Sequence, residues 1–227
     1  VSSFELAEDI VKQNTLNPTG TIRVSSLPSY TNQRLYLIIQ QFRTKYPDIT
    51  IDLHATDQVQ DLIRDKIDFA IRPTSNPPEH LVAKVIDNHK MSIVASPEYI
   101  ERYGTVDNLS DLKKHKSLCY RGANGVLPWF ACVGGEWKPI ERQPHFTCND
   151  TTELLRLVRH GEGIALLPEW TTSEYVEQQK IHRLDVGLDV SFVSDFDHRL
   201  YLIYERKSVD LRRNRLFLNF FMDQLRK

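Results

Sequence analysis

Cysteine is scarce in this 227-residue chain: Cys119, Cys132 and Cys148 are the only three. An odd number at such wide spacing suits neither a disulfide framework nor a zinc site. It fits a reducing compartment, so a cytoplasmic protein without metal or cofactor is expected. A charge excess is missing too, since 29 Lys and Arg face 30 Asp and Glu for a net charge of -1. A segment that grips nucleic acid concentrates basic charge, because phosphate neutralisation supplies most of its affinity, so these residues are not expected to hold DNA by themselves. The one basic cluster, Arg206, Lys207, Arg212, Arg213 and Arg215, reads as a solvated helix face. No apolar run approaches the roughly 20 residues of a membrane span. The opening Val1-Ser2-Ser3-Phe4 has neither the basic and apolar regions of a signal peptide nor an initiator Met, and a processed or cut chain is expected.

Catalytic signatures are also absent. There is no Gly-x-Ser-x-Gly elbow, no His-Glu-x-x-His, no Gly-rich phosphate loop and no Cys-x-x-Cys, and the eight histidines are scattered. Asn108-Leu109-Ser110 and Asn149-Asp150-Thr151 match the glycosylation sequon by chance. Cys148 has two readings, a small buried thiol and, with less weight because no basic partner is visible, a redox sensor. A chain with 41% hydrophobic and 26% charged residues is an ordinary globular protein, long enough for one large domain or two modest ones.

The positive signals are periodic. Phe4, Ala7, Ile10 and Val11 form a helical stripe over residues 4–14, stopped by Asn17-Pro18-Thr19-Gly20. A strand over 21–25 follows, then a helix from Thr31 carrying Leu35, Ile38, Ile39, Phe42 and Tyr46. A strand over 49–54, a short helix over 57–64 and a strand over 68–72 complete the first unit. The alternation resumes with a strand over 92–95, helices over 97–103 and 109–115, and a strand over 117–120. A hairpin turns at Gly134-Gly135. A strand over 145–148 then leads into a helix over 151–160, a strand over 164–167 and a helix over 169–178. Strands over 190–193 and 200–204 precede a last amphipathic helix with Leu211, Leu216, Phe217, Phe220 and Phe221. Strands alternating with helices imply an α/β protein with mostly parallel sheets, here two lobes in tandem, the chain's tail free to return to the first.

In open α/β sheets ligands sit beyond the carboxyl ends of strands, where helix N-termini present unpaired N–H groups. That rule selects Ser29, Tyr30 and Thr31 after the first strand, Thr56 after the second and Arg72 at the end of the third. From the second lobe it selects Ser96 and the run Asn149, Asp150, Thr151. Ser29, Thr31, Asp57 and Asn149 are equally read as helix caps, a role compatible with ligand contact. Arg72 is open to two readings, a ligand contact and a structural ion pair. Tyr120 and Trp129 are candidates for an aromatic wall, with a place in the second lobe's core as the weightier alternative.

Several phrases in order resemble the regulatory domain of LysR-type transcription regulators: Gly20-Thr-Ile-Arg-Val-Ser25, the Phe42…Tyr46-Pro47…Ile51 passage, Ile67-Asp-Phe-Ala-Ile-Arg72, Val94-Ala-Ser-Pro-Glu-Tyr99, Asn108-Leu-Ser-Asp-Leu112 and Gly161-Glu-Gly-Ile-Ala-Leu-Leu-Pro168. The likeness spans nearly the whole chain. It implies two Rossmann-like subdomains with a ligand cleft between them, of the type 2 periplasmic-binding-protein kind. Residues 1–16 would end a linker helix, 20–86 with 189–227 would form the first subdomain, and 87–188 the second. It further implies a small anionic or polar effector, with Ser29, Thr56 and Arg72 the best supported contacts. Partners would be a second copy, through helices 31–46 and 151–160, a tetramer in the full-length protein, and promoter DNA through a winged helix-turn-helix not in this sequence. A solute-binding protein of a transport system is the alternative; an enzyme on the same fold finds no catalytic cluster.

Overall fold

The structure, a computed structural model, describes residues 17–194 and 199–226. The helix expected over 4–14, and with it the linker reading of 1–16, lies outside the described residues. Strand β1, Gly20–Ser26, turns Ile22 and Val24 into the core. Helix α1, residues 28–45, follows as an α turn Pro28–Tyr30, a π segment Thr31–Leu35 and a regular stretch Tyr36–Lys45. The start expected at Thr31 moves back to Pro28, whose fixed φ is preorganised for the first helical position; Leu27 precedes it in extended conformation without a side-chain cap.

Strands β2, Ile49–Ala55, and β3, Phe69–Thr74, come next. The helix expected over 57–64 does not form. The Asp61 carboxylate accepts from the N–H groups of Ile63 and Arg64, Asp65 accepts from the N–H of Asp61, and Lys66 takes a left-handed φ of 54°. Acidic side chains close to the backbone here offer it turns in place of a helix. Strand β4, Val82–Asn88, was not foreseen, because its half-exposed residues lack a clean alternation.

The next stretch runs through β5, Met91–Ala95, α2, Pro97–Tyr103, and a single 3-10 turn Asp111–Lys114 where a helix over 109–115 is expected. Then come β6, Ser117–Gly122, β7, Gly125–Val126, and the hairpin of β8, Phe130–Val133, with β9, Glu136–Pro139. Gly134 and Gly135 hold the hairpin turn at φ values of 62° and 85°. Strand β10, Pro144–Cys148, leads to α3, Thr151–Arg159, then β11, Ile164–Pro168, α4, Glu169–Glu177, β12, His182–Leu184, and β13, Val190–Ser191. Strand β14, Arg199–Tyr204, a 3-10 turn Arg206–Asp210 and α5, Arg212–Gln224, end the chain.

Two compact units result: the described residues up to Asn88 with those from Arg199 onward, and those from His89 to residue 194. In the first, a five-stranded sheet has the order β2-β1-β3-β14-β4. The tail does return here. Phe217 of α5 packs its ring 5.2 Å from those of both Phe42 and Phe69. Arg213, expected on a solvated face, is only 9% exposed; its Nε donates to the Thr21 carbonyl at 3.0 Å. Its stem lies against Gly20, so an aliphatic chain is buried while the charge is spent on a strand end.

The second unit has a sheet ordered β10-β6-β11-β5-β12 with β7 beside β6, and a small sheet β13-β8-β9. Val190 and Ser191 of β13 pair with Ala131 and Phe130, which places this segment, expected with the first lobe, in the second unit. Two clusters of buried residues form its core, one around Ile93, Leu112, Trp129 and Ile164, the other around Val94, Leu118, Leu154 and Val158. Both large sheets are mixed rather than mostly parallel: β1 pairs parallel with β2 and β3, but β14 is antiparallel to β3 and β4. In the second unit β6 is parallel to β10 and β11, whereas β5 is antiparallel to β11 and β12. Strands β14 and β5 each run against both of their neighbours, a pairing that needs no crossover helix between partners.

Candidate functional site

Parallel pairing brings the carboxyl ends of β1, β2 and β3 to one edge of the first unit's sheet. At that edge the Thr56 N–H donates to the Ser26 carbonyl at 2.9 Å, tying the loop after β2 to the end of β1. Thr56 Oγ1 in turn accepts from the Gln58 N–H at 3.2 Å. Arg72 closes the circuit: its Nη2 donates to Ser25 Oγ at 2.6 Å and to the Gln58 carbonyl at 3.3 Å, and its Nη1 to the Ile71 carbonyl at 2.8 Å. The Ser25 hydroxyl donates to Gln60 Oε1. Ser25 opposes Ala70 across the β1–β3 ladder, two residues before Arg72, so both side chains stand on one face of the sheet.

Every acceptor around Arg72 is neutral, which disfavours the structural ion pair. Burial lowers the guanidinium to about 10 while the charge of Asp57 pulls the other way, and the group remains a cation at neutral pH. A partly desolvated cation held by hydroxyl and carbonyl oxygens suits an anion or a strongly polar group.

The residues of the first helical turn lie deeper. Ser29, Tyr30 and Thr31 are 5%, 1% and 7% exposed, and Thr31 Oγ1 is buried without a hydrogen-bond partner. Ser29 and Thr31 sit inside the helix rather than at its cap, because Pro28 started it early. Burial, with the charge of Asp87, drives the Tyr30 phenol well above its ordinary range. The π segment that begins at Thr31 is a local irregularity of the kind often found at functional sites.

In the second unit the parallel β6–β10 register sets Tyr120 opposite Cys148, so Tyr120 and the run Asn149, Asp150, Thr151 share the carboxyl edge of that sheet. Asp150 caps α3 by accepting from the Thr152 N–H at 2.7 Å, the role expected of Asn149, which is exposed. Ser96 is not with them. Because β5 runs antiparallel to β11, its carboxyl end falls at the opposite edge, where Ser96 Oγ caps α2 by accepting from the Tyr99 N–H at 3.2 Å. Trp129 is fully buried in the core, with the Arg142 guanidinium stacked 4.4 Å from its ring centre. Tyr120 is half-buried and packs on the core cluster of α3, its ring 6.3 Å from that of Phe192.

Sequence reasoning therefore finds Thr56, Arg72, Tyr120, Asp150 and Thr151 at strand ends but misses Ser25, Gln58 and Gln60. It also misses Arg121, which donates to Thr147 Oγ1 at 3.1 Å on the second unit's carboxyl edge. A signal for Ser25 was present: two consecutive serines at the end of a buried strand leave one of them on each face.

Comparisons with known proteins agree on one family. The sequence pattern of the "LysR substrate binding domain" matches residues 16–226. The HTH-type transcriptional regulator CrgA of Neisseria meningitidis serogroup C is 28% identical over 209 residues, which covers 92% of this chain and 68% of that regulator. The HTH-type transcriptional activator TtdR of Escherichia coli O6:K15:H31 is 25% identical over 187 residues, 81% of this chain and 60% of that protein. The chain thus spans 60–68% of the length of these curated relatives. Among solved structures, the CrgA regulatory domain superposes with a TM-score of 0.79 at 25% identity, covering 92% of this chain and all of that one. The effector domain of AmpR from Pseudomonas aeruginosa, at 15% identity and a TM-score of 0.69, shares the fold. These relatives are transcription regulators, so the solute-binding and enzymatic alternatives fall away.

Proposed function

The chain belongs to the LysR substrate-binding-domain family, and from that membership we propose that it senses a small polar metabolite at the carboxyl edge of β1, β2 and β3. As a member it is the effector-binding domain of a LysR-type regulator, with the two-subdomain α/β fold of that family. The observation that carries the placement is Arg72: a partly buried cation whose partners, Ser25, Gln58 and Ile71, are all neutral. Ser29, Tyr30, Thr31 and Thr56 belong to the same edge of the first unit; Tyr120, Asn149, Asp150 and Thr151 form a polar edge of the second unit taken by itself. Ser96 and Trp129 contribute least, being respectively a helix cap at the far edge and a core residue.

The remaining partners follow from family membership as parts of the same reading. The regulator is cytoplasmic, dimerises through helices 31–46 and 151–160, assembles further to a tetramer at full length, and reaches promoter DNA through an N-terminal winged helix-turn-helix to which residues 1–16 lead as a linker. Among the described residues no helix is long and apolar enough to cross a membrane. Effector binding works by favouring one of two states of the domain over the other, and can shift that balance only by its differential affinity. A thermal-shift screen of amino acids, sugar acids and aromatic acids tests the placement. A metabolite that stabilises the chain, and whose effect is lost in Thr56→Val and in Ser29→Ala, supports it; a binder unaffected by both substitutions and by Arg72→Ala overturns it.

A further inference from the structure

We propose that Asn124 is a self-modifying residue: its side-chain amide is lost to attack by the backbone nitrogen of Gly125, and an acidic residue forms in its place. Asn124 is the only asparagine of the sequence that glycine follows, and no aspartate precedes a glycine either. The step is intramolecular. Hydroxide takes the proton of the Gly125 N–H, the nitrogen bonds to Asn124 Cγ, and the Cγ–Nδ2 bond breaks. Ammonia leaves with a proton from water, which regenerates the hydroxide. A water molecule then opens the five-membered imide at either carbonyl, giving an aspartyl or an isoaspartyl residue at position 124. Water is the only co-reactant consumed.

The β6–β7 turn leaves this path open. Asn124 is exposed, and its side chain takes part in no hydrogen bond among the described residues. Asn108 and Asn214 give the contrast: Asp111 holds the amide of the first at 2.7 Å and Asp68 that of the second at 2.9 Å. Nothing lies within 4 Å of a Cβ built on Gly125, so the flank of the attacking nitrogen is uncrowded. The ladder that holds the turn is short, Arg121 opposite Val126 and Gly122 opposite Gly125, with a glycine on each side of the turn. Glycine's wide range of φ and ψ lets the backbone swing into the attack geometry at small cost.

The products matter at this place. The added carboxylate lowers the formal net charge of -1 by one unit and stands just past Arg121, whose Nη2 donates to Thr147 Oγ1 at 3.1 Å. The isoaspartyl form also routes the main chain through an extra carbon within residue 124. That puts the β6–β7 pairs out of register and loosens the Leu127 N–H from the Tyr120 carbonyl, which it now reaches at 2.9 Å. The carboxyl edge of the second unit's sheet thus carries a slow, one-way change of charge and backbone.

The test incubates the folded 227-residue chain in mildly alkaline and in mildly acidic buffer. It follows the tryptic peptide of residues 122–142, in which Asn124 is the only asparagine and glutamine is absent. In alkaline buffer this peptide is expected to gain the mass of an amide-to-acid conversion before any other asparagine-bearing peptide, and more slowly in acid, where hydroxide is scarce. Ion exchange resolves the acidic chain, and electron-transfer fragmentation separates isoaspartate from aspartate. Gly125→Ala places a Cβ beside the attacking nitrogen and should slow conversion by at least about tenfold. Because alanine strains a backbone whose φ is 118°, Asn124→Gln is measured beside it: it keeps Gly125 and a side-chain amide, and should stay unconverted over the same period. In the isoaspartyl chain the Leu127 N–H is expected to lose its protection from hydrogen exchange. Four results overturn the proposal. They are a folded chain that stays unconverted while the same chain in urea converts, a first mass gain at another asparagine, Gly125→Ala converting as fast as the parent, and an isoaspartyl chain whose Leu127 N–H exchanges as slowly as before.

Discussion

Asn214 Nδ2 donates to Asp68 Oδ1 at 2.9 Å, joining residues that lie 146 positions apart in the chain. Asp68 precedes β3 and also accepts from the Arg23 N–H of β1 at 2.8 Å, while Asn214 donates again to the Ser208 carbonyl at 2.9 Å. A buried carboxylate is tolerable only when hydrogen bonds replace its water, and here the donors come from β1 and from the returning helix α5. Asn214→Ala should therefore destabilise the first unit by about 2–4 kcal/mol, because the remaining carboxylate oxygen loses its donor. Urea unfolding checks this, with Asn219→Ala on the exposed face of the same helix as the control, expected within about 0.5 kcal/mol of the parent. Equal effects of the two substitutions would mean that the clasp adds nothing.

Gly163 is held to glycine by space rather than by backbone angle. A Cβ built there would sit inside the contact distance of the Lys116 carbonyl oxygen and 3.0 Å from Leu118 Cγ, just where the Ile164 N–H donates to that same carbonyl at 2.9 Å. Gly163→Ala must push β11 off β6, and a loss of more than about 3 kcal/mol is expected in denaturant unfolding. Gly134 gives the contrast: its φ is 62° with nothing within 4 Å of a built Cβ, so Gly134→Ala carries only the left-handed backbone penalty of about 1 kcal/mol. A reversed order of the two substitutions would refute the steric account.

These relations show where the sequence is legible and where it stops being so. Period and punctuation reveal β1, the start of α3 and the Gly134-Gly135 hairpin, since each depends on residues a few positions apart. The strand directions do not reveal themselves in the same way. Nothing near Ser96 announces that β5 runs antiparallel to β11, and that single fact moves Ser96 to the edge opposite Asp150. Thr56 and Arg72 are visible because any strand end in a parallel pair points to one edge. Ser25 and Gln60 are not, because their role depends on β3 lying beside β1 with Ala70 opposite Ser25. The failed helix over 57–64 has a local cause that composition hides: Asp61 and Asp65 spend their carboxylates on backbone N–H groups.

The proposed dimer makes a demand on α1. Tyr36 and Leu37 stand 58% and 56% exposed there, side by side on a helix whose Ile38, Ile39 and Phe42 are already committed to the core. If this face meets a second copy, Leu37→Glu places a charge in an apolar contact and should yield monomers in sedimentation equilibrium at concentrations where the parent dimerises. Gln40→Glu, exposed on the same helix, should leave the parent's state unchanged. A Leu37→Glu chain that sediments as the parent does would remove α1 from the interface.

A dependence of stability on pH should trace to His115. The side chain is 8% exposed, its Nδ1 has no hydrogen-bond partner, and its ring lies 5.7 Å from that of Tyr99. Burial lowers its pKa below the ordinary 6.5; a hydrogen bond with the Thr105 backbone and the charge of Asp111 oppose that shift, and Lys114 adds to it. The folded state thus prefers the neutral ring. Below about pH 6.5 the unfolded chain binds the proton more readily than the folded one, so His115's share of stability is complete above that value and is lost as the pH falls through it. Denaturant midpoints measured between about pH 8 and about pH 5.5 should fall toward the acid end. His115→Phe keeps a ring against Tyr99 and removes the titrating nitrogen, so its midpoints should change less over the same range, whatever its absolute stability. A slope as steep as the parent's would assign the acid sensitivity to another group.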